Sequence, residues 1–573
     1  MLRPTRIRLR PWQSEALDRL YMKESVDFLA VATPGAGKTT FALAAAVQDL
    51  IENPGRRVIV VAPTQHLKLQ WSNAASRFGL HLEPEWSARD GELPSDMHGV
   101  VTTYQQVSTS SRALATLSRG AFVILDEIHH AADDRSWGTA ILEAFDGAAK
   151  RLSLSGTPFR SDTSAIPFVE YHMEQAHADY EYGYGEALAD GGVVRPVYFP
   201  RINGFMEWVS AAGDVVAATF DDELPRELAN QRLRTALSLE GEWLPTVLDQ
   251  SHERLVDIRR NQPDAGGLII AIDQEHATQI ADLMERRHRT RPVVAVSDDP
   301  GASAKIAGFA ASDSPWIVAV RMVSEGVDIP RLRIAVFATT TTTELFFRQA
   351  VGRVVRWTRG VRNQKAYFFV PDDVRLRHFA ATLSEQRRHS LRKRSEDAAG
   401  EGVLQGPPED PLDSMEDGDE EQMSLFSVIG SVSLGESGES GPGSSFAGAE
   451  ADGVFADDPD GEMRDPRDEP GVDLVLLPPP LPSGARGRVT AGGAGGGGVT
   501  DVNSDGLTLR ERKIRLRDAN ADMAAELVRA TGWSHPQVNA ELNRLSGVKR
   551  ISEATLDQLE TRLKAARKWL RSA

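Results

Sequence analysis

Ala32-Thr33-Pro34-Gly35-Ala36-Gly37-Lys38-Thr39 stands between two segments of different character. The apolar run Val26 to Val31 before it reads as a buried strand. Thr40-Phe41-Ala42-Leu43-Ala44-Ala45-Ala46-Val47 after it reads as a helix. A strand, a glycine-rich turn, Lys-Thr and a helix make a cradle for phosphate. Glycine lets backbone N–H groups close on the oxygens, and the helix N-terminus adds a partial positive charge. Lys38 is expected at the β- and γ-phosphates of a nucleotide, and the Thr39 hydroxyl at Mg²⁺. Pro34, Gly35, Ala36, Gly37 and Thr40 complete the expected nucleotide contacts. The usual first glycine of such a turn is Ala32 here.

A phosphate cradle that supports hydrolysis needs a carboxylate for the metal and a base for water. Ala121-Phe122-Val123-Ile124-Leu125 reads as another buried strand, with Asp126-Glu127-Ile128-His129 at its C-terminal end. Ligands gather at the carboxyl ends of strands in open α/β sheets. Asp126 is expected to hold Mg²⁺, and Glu127 to orient and deprotonate the attacking water.

These motifs resemble those of superfamily 2 helicases and translocases of the DEAH/DExH type, above all the branch of XPB-like helicases, RadD-like proteins and type III restriction motors. The resemblance runs in family order over residues 1 to about 380. Arg10-Pro11-Trp12-Gln13 resembles the adenine-reading motif, which implies nucleotide contacts for Arg10 and Gln13. Val61-Ala62-Pro63-Thr64 and Thr102-Thr103-Tyr104 resemble the two strand-tracking motifs. Ser155-Gly156-Thr157-Pro158 resembles the motif that couples ATP to nucleic acid. Gly267-Leu268-Ile269-Ile270-Ala271 resembles the opening of a second lobe. Ser324-Glu325-Gly326-Val327-Asp328-Ile329-Pro330 and Gln349-Ala350-Val351-Gly352-Arg353-Val354-Val355-Arg356 resemble the last two motifs. The resemblance implies nucleotide contacts for Gly326 and Asp328. It implies coupling or nucleic-acid roles for Thr64, Thr102, Thr103, His129, Ser155 and Thr157.

Gln349, Arg353 and Arg356 recur at spacings of four and three, which predicts one shared helix face. Arginines brought from a second lobe stabilise the charge of a phosphoryl-transfer transition state. Gln349, Arg353 and Arg356 are therefore expected to join Glu127 in catalysis.

The chain has 573 residues and no cysteine. Disulfides, iron–sulfur clusters and thiolate zinc are excluded, and with them the iron–sulfur and zinc-binding helicase subfamilies. No apolar run approaches the ~20 residues of a membrane helix. The amino terminus lacks the apolar core of a signal peptide. A soluble, cytoplasmic protein is expected, acting as a monomer or as a subunit of a larger complex. The net charge is −17, yet residues 396–473 hold 23 acidic and 2 basic residues. That segment supplies −21, and the rest of the chain is +4.

The fold class expected is α/β: two tandem RecA-like parallel-sheet domains, a disordered acidic linker and a small all-α C-terminal module. The first lobe is expected over 1–175, with strands Val26–Val31, Val58–Ala62, Val100–Thr103, Phe122–Leu125 and Leu152–Ser155. A connecting region over 176–260 holds Tyr182, Tyr184, Trp208 and Trp243, read as core rather than base-stacking platforms. The second lobe is expected over 261–395, with strands Leu268–Ile272, Val293–Val296, Ile317–Val320, Ile334–Ala338 and Ala366–Val370. Gly, Ser, Pro and acidic residues over 396–506 predict a disordered linker. Over 507–573, Leu516, Met523 and Leu527 share a helical face. Ser552 reads as an N-cap before Leu556, Leu559, Leu563 and Ala566. Arg562, Lys564, Arg567, Lys568 and Arg571 make that last helix basic. Within the linker, Gln422-Met423-Ser424-Leu425-Phe426 resembles the pentapeptide that binds the DNA polymerase sliding clamp, with Gln422, Leu425 and Phe426 as anchors.

These features point to an ATP- and Mg²⁺-dependent DNA helicase or double-strand translocase in repair, recombination, replication or phage defence. The alternatives are an RNA helicase, and a non-catalytic scaffold that presents its linker and tail to partners. A motor subunit of a defence complex is a further possibility, with any nuclease on another chain.

Overall fold

The computed structural model describes residues 5–88, 93–132, 135–156, 166–172, 175–210, 214–296, 299, 301–320, 329–358, 360–361, 364–400, 472–477, 479–480, 509–551 and 554–571. Two parallel sheets organise them. The first has seven strands in the spatial order Tyr180–Tyr182, Asp27–Ala32, Lys150–Ser155, Phe122–Leu125, Val58–Ala62, Gly99–Thr103 and Leu82–Glu83. The second has six, in the order Val197–Tyr198, Ala366–Phe369, Leu332–Phe337, Gly266–Ala271, Trp316–Val320 and Val293–Ala295. Every residue of Val58–Ala62, Gly99–Thr103 and Leu332–Phe337 is buried. Helices cover both faces of such sheets, so the strands read as unbroken apolar runs rather than alternating ones. Each strand expected from the sequence is present, its ends displaced by at most two residues.

The region over 176–260 joins the sheets as well as linking them. Tyr180–Tyr182 adds an edge strand beside Asp27–Ala32, and Val197–Tyr198 one beside Ala366–Phe369. Two or three residues carry no periodicity, which is why neither strand is visible in the sequence. The chain crosses from one sheet to the other between Gly183 and Pro196. The hairpin of Phe205–Val209 with Val215–Thr219 and the helices Arg226–Ala236 and Trp243–Asn261 follow. Tyr182, Tyr184 and Trp243 are buried, and Trp208 packs half-buried against the second-lobe core. Tyr182 stacks on Trp12, with centroids 5.1 Å apart.

Two findings amend the expected linker. The helix Val374–Gly400 runs past residue 395. Val472–Leu476 is a strand, antiparallel to Thr5–Leu9, with Leu474 opposite Ile7. Composition averaged over a hundred residues hid the short apolar run Val472-Asp473-Leu474-Val475-Leu476-Leu477. Leu476 is buried with Leu9 in the core beneath the first sheet. Residues 401–471, and with them Gln422–Phe426, lie outside the described residues.

The tail forms three helices, Leu509–Thr531, His535–Ser546 and Leu556–Leu570. Ser552 lies outside the described residues, and the last helix is capped by Thr555 instead. The Thr555 side chain accepts from the Gln558 N–H, and the Gln558 carboxamide accepts from the Thr555 N–H, a capping box. Arg562 is not on the basic surface. It is fully buried, and its guanidinium donates to the side-chain oxygens of Asn543, Asn520 and Asn539 at 2.9, 3.0 and 2.6 Å. A heptad-like spacing cannot distinguish an inward arginine with three amide partners from an outward one. Lys564, Arg567, Lys568 and Arg571 remain exposed.

The helical module rests on the first lobe. The buried Lys513 ammonium lies 2.7 Å from Asp96 Oδ1, and Asp96 Oδ2 accepts from the Leu556 N–H at 3.1 Å. Asp96→Ala leaves that ammonium buried and unpaired, at a cost on the order of 3 kcal/mol. The variant is expected to release the module, which limited proteolysis of the full chain would read as faster loss of residues 509–571. Unchanged cleavage would show that the pair contributes nothing to docking.

Candidate active site between the lobes

The strand Asp27–Ala32 ends at Ala32, a buried residue whose carbonyl accepts from Lys38 Nζ at 3.3 Å. Ala32 is thus a strand residue rather than a turn residue, and glycine is not required there. Positive φ is required at Gly35 (85°) and at Gly37 (93°), where the helix Lys38–Glu52 begins. Arg10, Trp12 and Gln13 hold the turn. Arg10 Nη1 donates to the Gly35 and Ala36 carbonyls, both at 3.1 Å, and Trp12 Nε1 to Ala36 O at 3.1 Å. Gln13 Nε2 donates to Gly37 O at 2.9 Å, and Gln13 Oε1 accepts from the Arg10 N–H at 2.8 Å. Gln13 is buried; one end of its carboxamide holds the turn and the other caps the start of its own helix at Arg10.

The second strand of the site, Phe122–Leu125, delivers Asp126 and Glu127. Glu127 adopts φ 47°, a conformation uncommon outside glycine and frequent at functional sites. Its Oε1 accepts from Lys38 Nζ at 3.0 Å and its Oε2 from the Gly156 N–H at 2.9 Å. Burial raises the Glu127 carboxyl. The Lys38 and His129 charges, with hydrogen bonds from Lys38 and Gly156, outweigh burial and hold the group well below the usual carboxylate range. Asp126 Oδ2 accepts from Trp71 Nε1 at 2.8 Å. Burial first, and then the Glu127 charge, pushes its carboxyl up to about 6.

His129 joins three motifs. Its Nδ1 lies 3.3 Å from Ser155 Oγ and 3.6 Å from Glu127 Oε2. Its Nε2 lies 2.9 Å from the Gln349 amide nitrogen, which comes from the second lobe. When the ring is neutral, a Gln349 N–H donated into Nε2 leaves the ring proton on Nδ1, facing Ser155 and Glu127; when it is protonated, its charge lies beside Glu127.

The helix Glu344–Val354 brings the second lobe onto the turn. At Gly352 a Cβ would stand 2.5 Å from Pro34 Cγ, so the close approach demands glycine. Arg353 lies on this helix, but Arg356 does not. The helix ends at Val354, and Arg356 forms an antiparallel bridge with Val194. The one-face expectation therefore holds for Gln349 and Arg353 alone, because the crossover segment takes Arg356 out of the helix. Arg356 still reaches the cradle, its Cγ 3.8 Å from where a Gly35 Cβ would be.

Of the expected coupling residues, Thr64 and Thr103 cap helices. Thr64 Oγ1 accepts from the Leu67 N–H at 3.5 Å, and Thr103 Oγ1 from the Gln106 N–H at 3.2 Å. Thr102 is fully buried in its strand. Thr157, Gly326 and Asp328 lie outside the described residues. Trp71, the partner of Asp126, was not legible, since nothing near it in sequence marks a residue that acts 55 positions away. Among the described residues, no helix is long and apolar enough to cross a membrane.

Comparison with known proteins agrees with this geometry. The model of the family described as "Type III restriction enzyme, res subunit" matches residues 6–160. Uncharacterized protein Rv2917 of Mycobacterium tuberculosis is 46% identical over 407 residues, 70% of this chain and 67% of that protein. Uncharacterized protein ML1624 of Mycobacterium leprae is 38% identical over 575 residues, 98% of this chain and 93% of that protein. DNA 3'-5' translocase XPB2 of Sulfurisphaera tokodaii is 24% identical over 370 residues, 61% of this chain and 79% of that protein. With its paired parallel sheets and its motifs in family order, the chain belongs to the family of these mycobacterial proteins, within the superfamily 2 helicases.

Proposed function

We propose that this chain is an ATP-dependent motor on DNA, a helicase or a double-strand translocase. The observation that carries the reading is the run of contacts Lys38–Glu127–His129–Gln349, which crosses from the phosphate cradle into the second lobe. ATP phosphates in the turn compete with Glu127 for Lys38. Once Lys38 turns to phosphate, Glu127 keeps its hydrogen bond from the Gly156 N–H and is free to orient and deprotonate water. Arg353 and Arg356 approach the same phosphates from the second lobe. His129 reports the state of Glu127 to Ser155 and Gln349, and so to both lobes.

The residues present fit Mg²⁺. Asp126 is a buried carboxylate beside a like charge, and Thr39 at the helix start offers a second hard oxygen. When bound there, Mg²⁺ would offset charge on the β- and γ-phosphate oxygens. The name of the distant XPB2 relative, a DNA 3'-5' translocase, supports DNA as the track. Phosphate-backbone contacts would give affinity without sequence reading.

ATPase turnover measured with single-stranded DNA, duplex DNA and RNA tests the proposal. Stimulation by DNA is expected. Stimulation by RNA alone would make the chain an RNA helicase, and no turnover with any of them would make it a scaffold. Gly352→Ala is expected to lower kcat about 10²-fold, because its methyl group separates the lobes by a fraction of an ångström. Its nucleotide affinity should stay within a few-fold, and normal kcat would show that close approach at Gly352 is not required for turnover. We also propose the Gln422–Phe426 segment as a sliding-clamp motif. Leu425→Ala with Phe426→Ala should abolish capture by purified clamp and leave DNA-stimulated turnover intact. Absence of capture by the wild-type chain would end that proposal.

A further inference from the structure

Arg195 lies in the crossover between the two sheets, and its side chain is fully buried. Its guanidinium donates to Pro330 O at 2.8 Å, to Leu332 O at 3.3 Å, to Thr358 Oγ1 at 2.9 Å and to the Arg356 carbonyl. Its own N–H donates to Val355 O at 2.7 Å, and the adjacent Val194 bridges Arg356. Val193 O, one residue further back, stands 3.7 Å from the Cβ position of Gly35 in the phosphate turn. Of three consecutive crossover residues, Val193 thus lies beside the cradle, Val194 bridges Arg356, and Arg195 holds the end of the Ser324–Pro330 motif.

The chemistry of this contact set is unusual. Among the described residues, every hydrogen-bond partner of the guanidinium is a neutral oxygen, although a buried cation without a counter-charge costs several kcal/mol. A methionine or leucine would fill the same space without that cost. Burial, and then the nearby Arg333 charge, also weaken the hold of Arg195 on its proton. What an apolar side chain could not do is tie two separate loops of the second lobe to one point. A guanidinium presents five donors in a rigid fork, and four acceptors on two loops use it here.

We propose that Arg195 is a positioning residue. It fixes the Arg356 backbone against the crossover, so that the Arg356 side chain enters the cleft in register with the phosphate turn. This inference rests on the reading of the cleft as an ATPase site. Arg195 does not touch the nucleotide. It acts through Arg356, and its loss should appear in kcat rather than in nucleotide affinity.

The test uses the full chain with Arg195→Lys, Arg356→Ala and the double variant, with DNA-stimulated turnover and affinity for a fluorescent ATP analogue as readouts. Lysine keeps the charge and loses the fork. Arg195→Lys is expected to lower kcat about tenfold, with nucleotide affinity within twofold of wild type. The double variant should be no slower than Arg356→Ala, because both changes remove the same interaction. If Arg195→Lys does not bind nucleotide, Thr358→Val replaces it. That variant deletes one acceptor of the same guanidinium at its half-buried end and should lower kcat in the same direction. Wild-type kcat in Arg195→Lys beside a crippled Arg356→Ala overturns the inference and leaves the ATPase reading standing. Losses that multiply in the double variant also overturn it, since Arg195 would then act elsewhere. Normal kcat in Arg356→Ala removes the catalytic reading itself, and the inference with it.

Discussion

Glu127→Gln is expected to lower kcat for ATP by about 10²–10⁴-fold while nucleotide affinity holds or tightens. The direction of the binding effect follows from the geometry. Glu127 Oε1 lies 3.0 Å from Lys38 Nζ, so the carboxylate competes with phosphate for the ammonium. Glutamine removes the charge and weakens that competition. It also places an amide donor where one of two donors, Lys38 Nζ or the Gly156 N–H, already points. The side chain therefore loses one of its two anchors as well as its basicity. A titration with a fluorescent ATP analogue and a single-turnover assay would separate the two effects. Turnover near the wild-type rate would end the assignment of Glu127 as the base.

Arg353→Ala and Arg356→Ala are each expected to lower kcat by ~10³-fold, with nucleotide affinity within a few-fold. In the proposed mechanism their charge would meet oxygens whose charge grows in the transition state, so the loss belongs in kcat. The two arginines are held by different elements. Arg353 is carried by the helix that presses Gly352 on Pro34, and Arg356 by a backbone bridged to Val194. Gly352→Ala should therefore displace Arg353 directly, since both ride on one rigid helix. Steady-state kinetics of the two single variants would check the roles. A defect confined to affinity, with normal kcat, would remove the arginines from catalysis.

Local chemistry made much of this protein legible in its sequence. A strand buried on both faces must be apolar throughout, so runs such as Val58–Ala62 and Phe122–Leu125 declare themselves. A turn that needs positive φ at two places must carry Gly35 and Gly37. Lys38, Asp126 and Glu127 each follow a strand end within a few residues, so their place at one edge of a parallel sheet can be argued from order alone. The contacts of Glu127 with Lys38 agree with that argument.

Tertiary structure decided the rest. Spacing put Arg356 on a helix face, yet a pairing with Val194, far earlier in the chain, pulls it off the helix. Composition put Val472–Leu476 in an unstructured linker, yet Thr5–Leu9 offers it an edge to pair with. Charge put Arg562 on a surface, yet three asparagines from two other helices hold it inside. The Gln13 carboxamide braces the Gly37 carbonyl, a contact that the motif around Gln13 does not spell out. Each of these depends on a partner far away in sequence. A hydrogen bond to a distant strand or carbonyl leaves no periodic mark on the residue that makes it. Hydrophobic periodicity records only which face is buried, whereas the partner of a polar or short segment is set when the chain closes on itself.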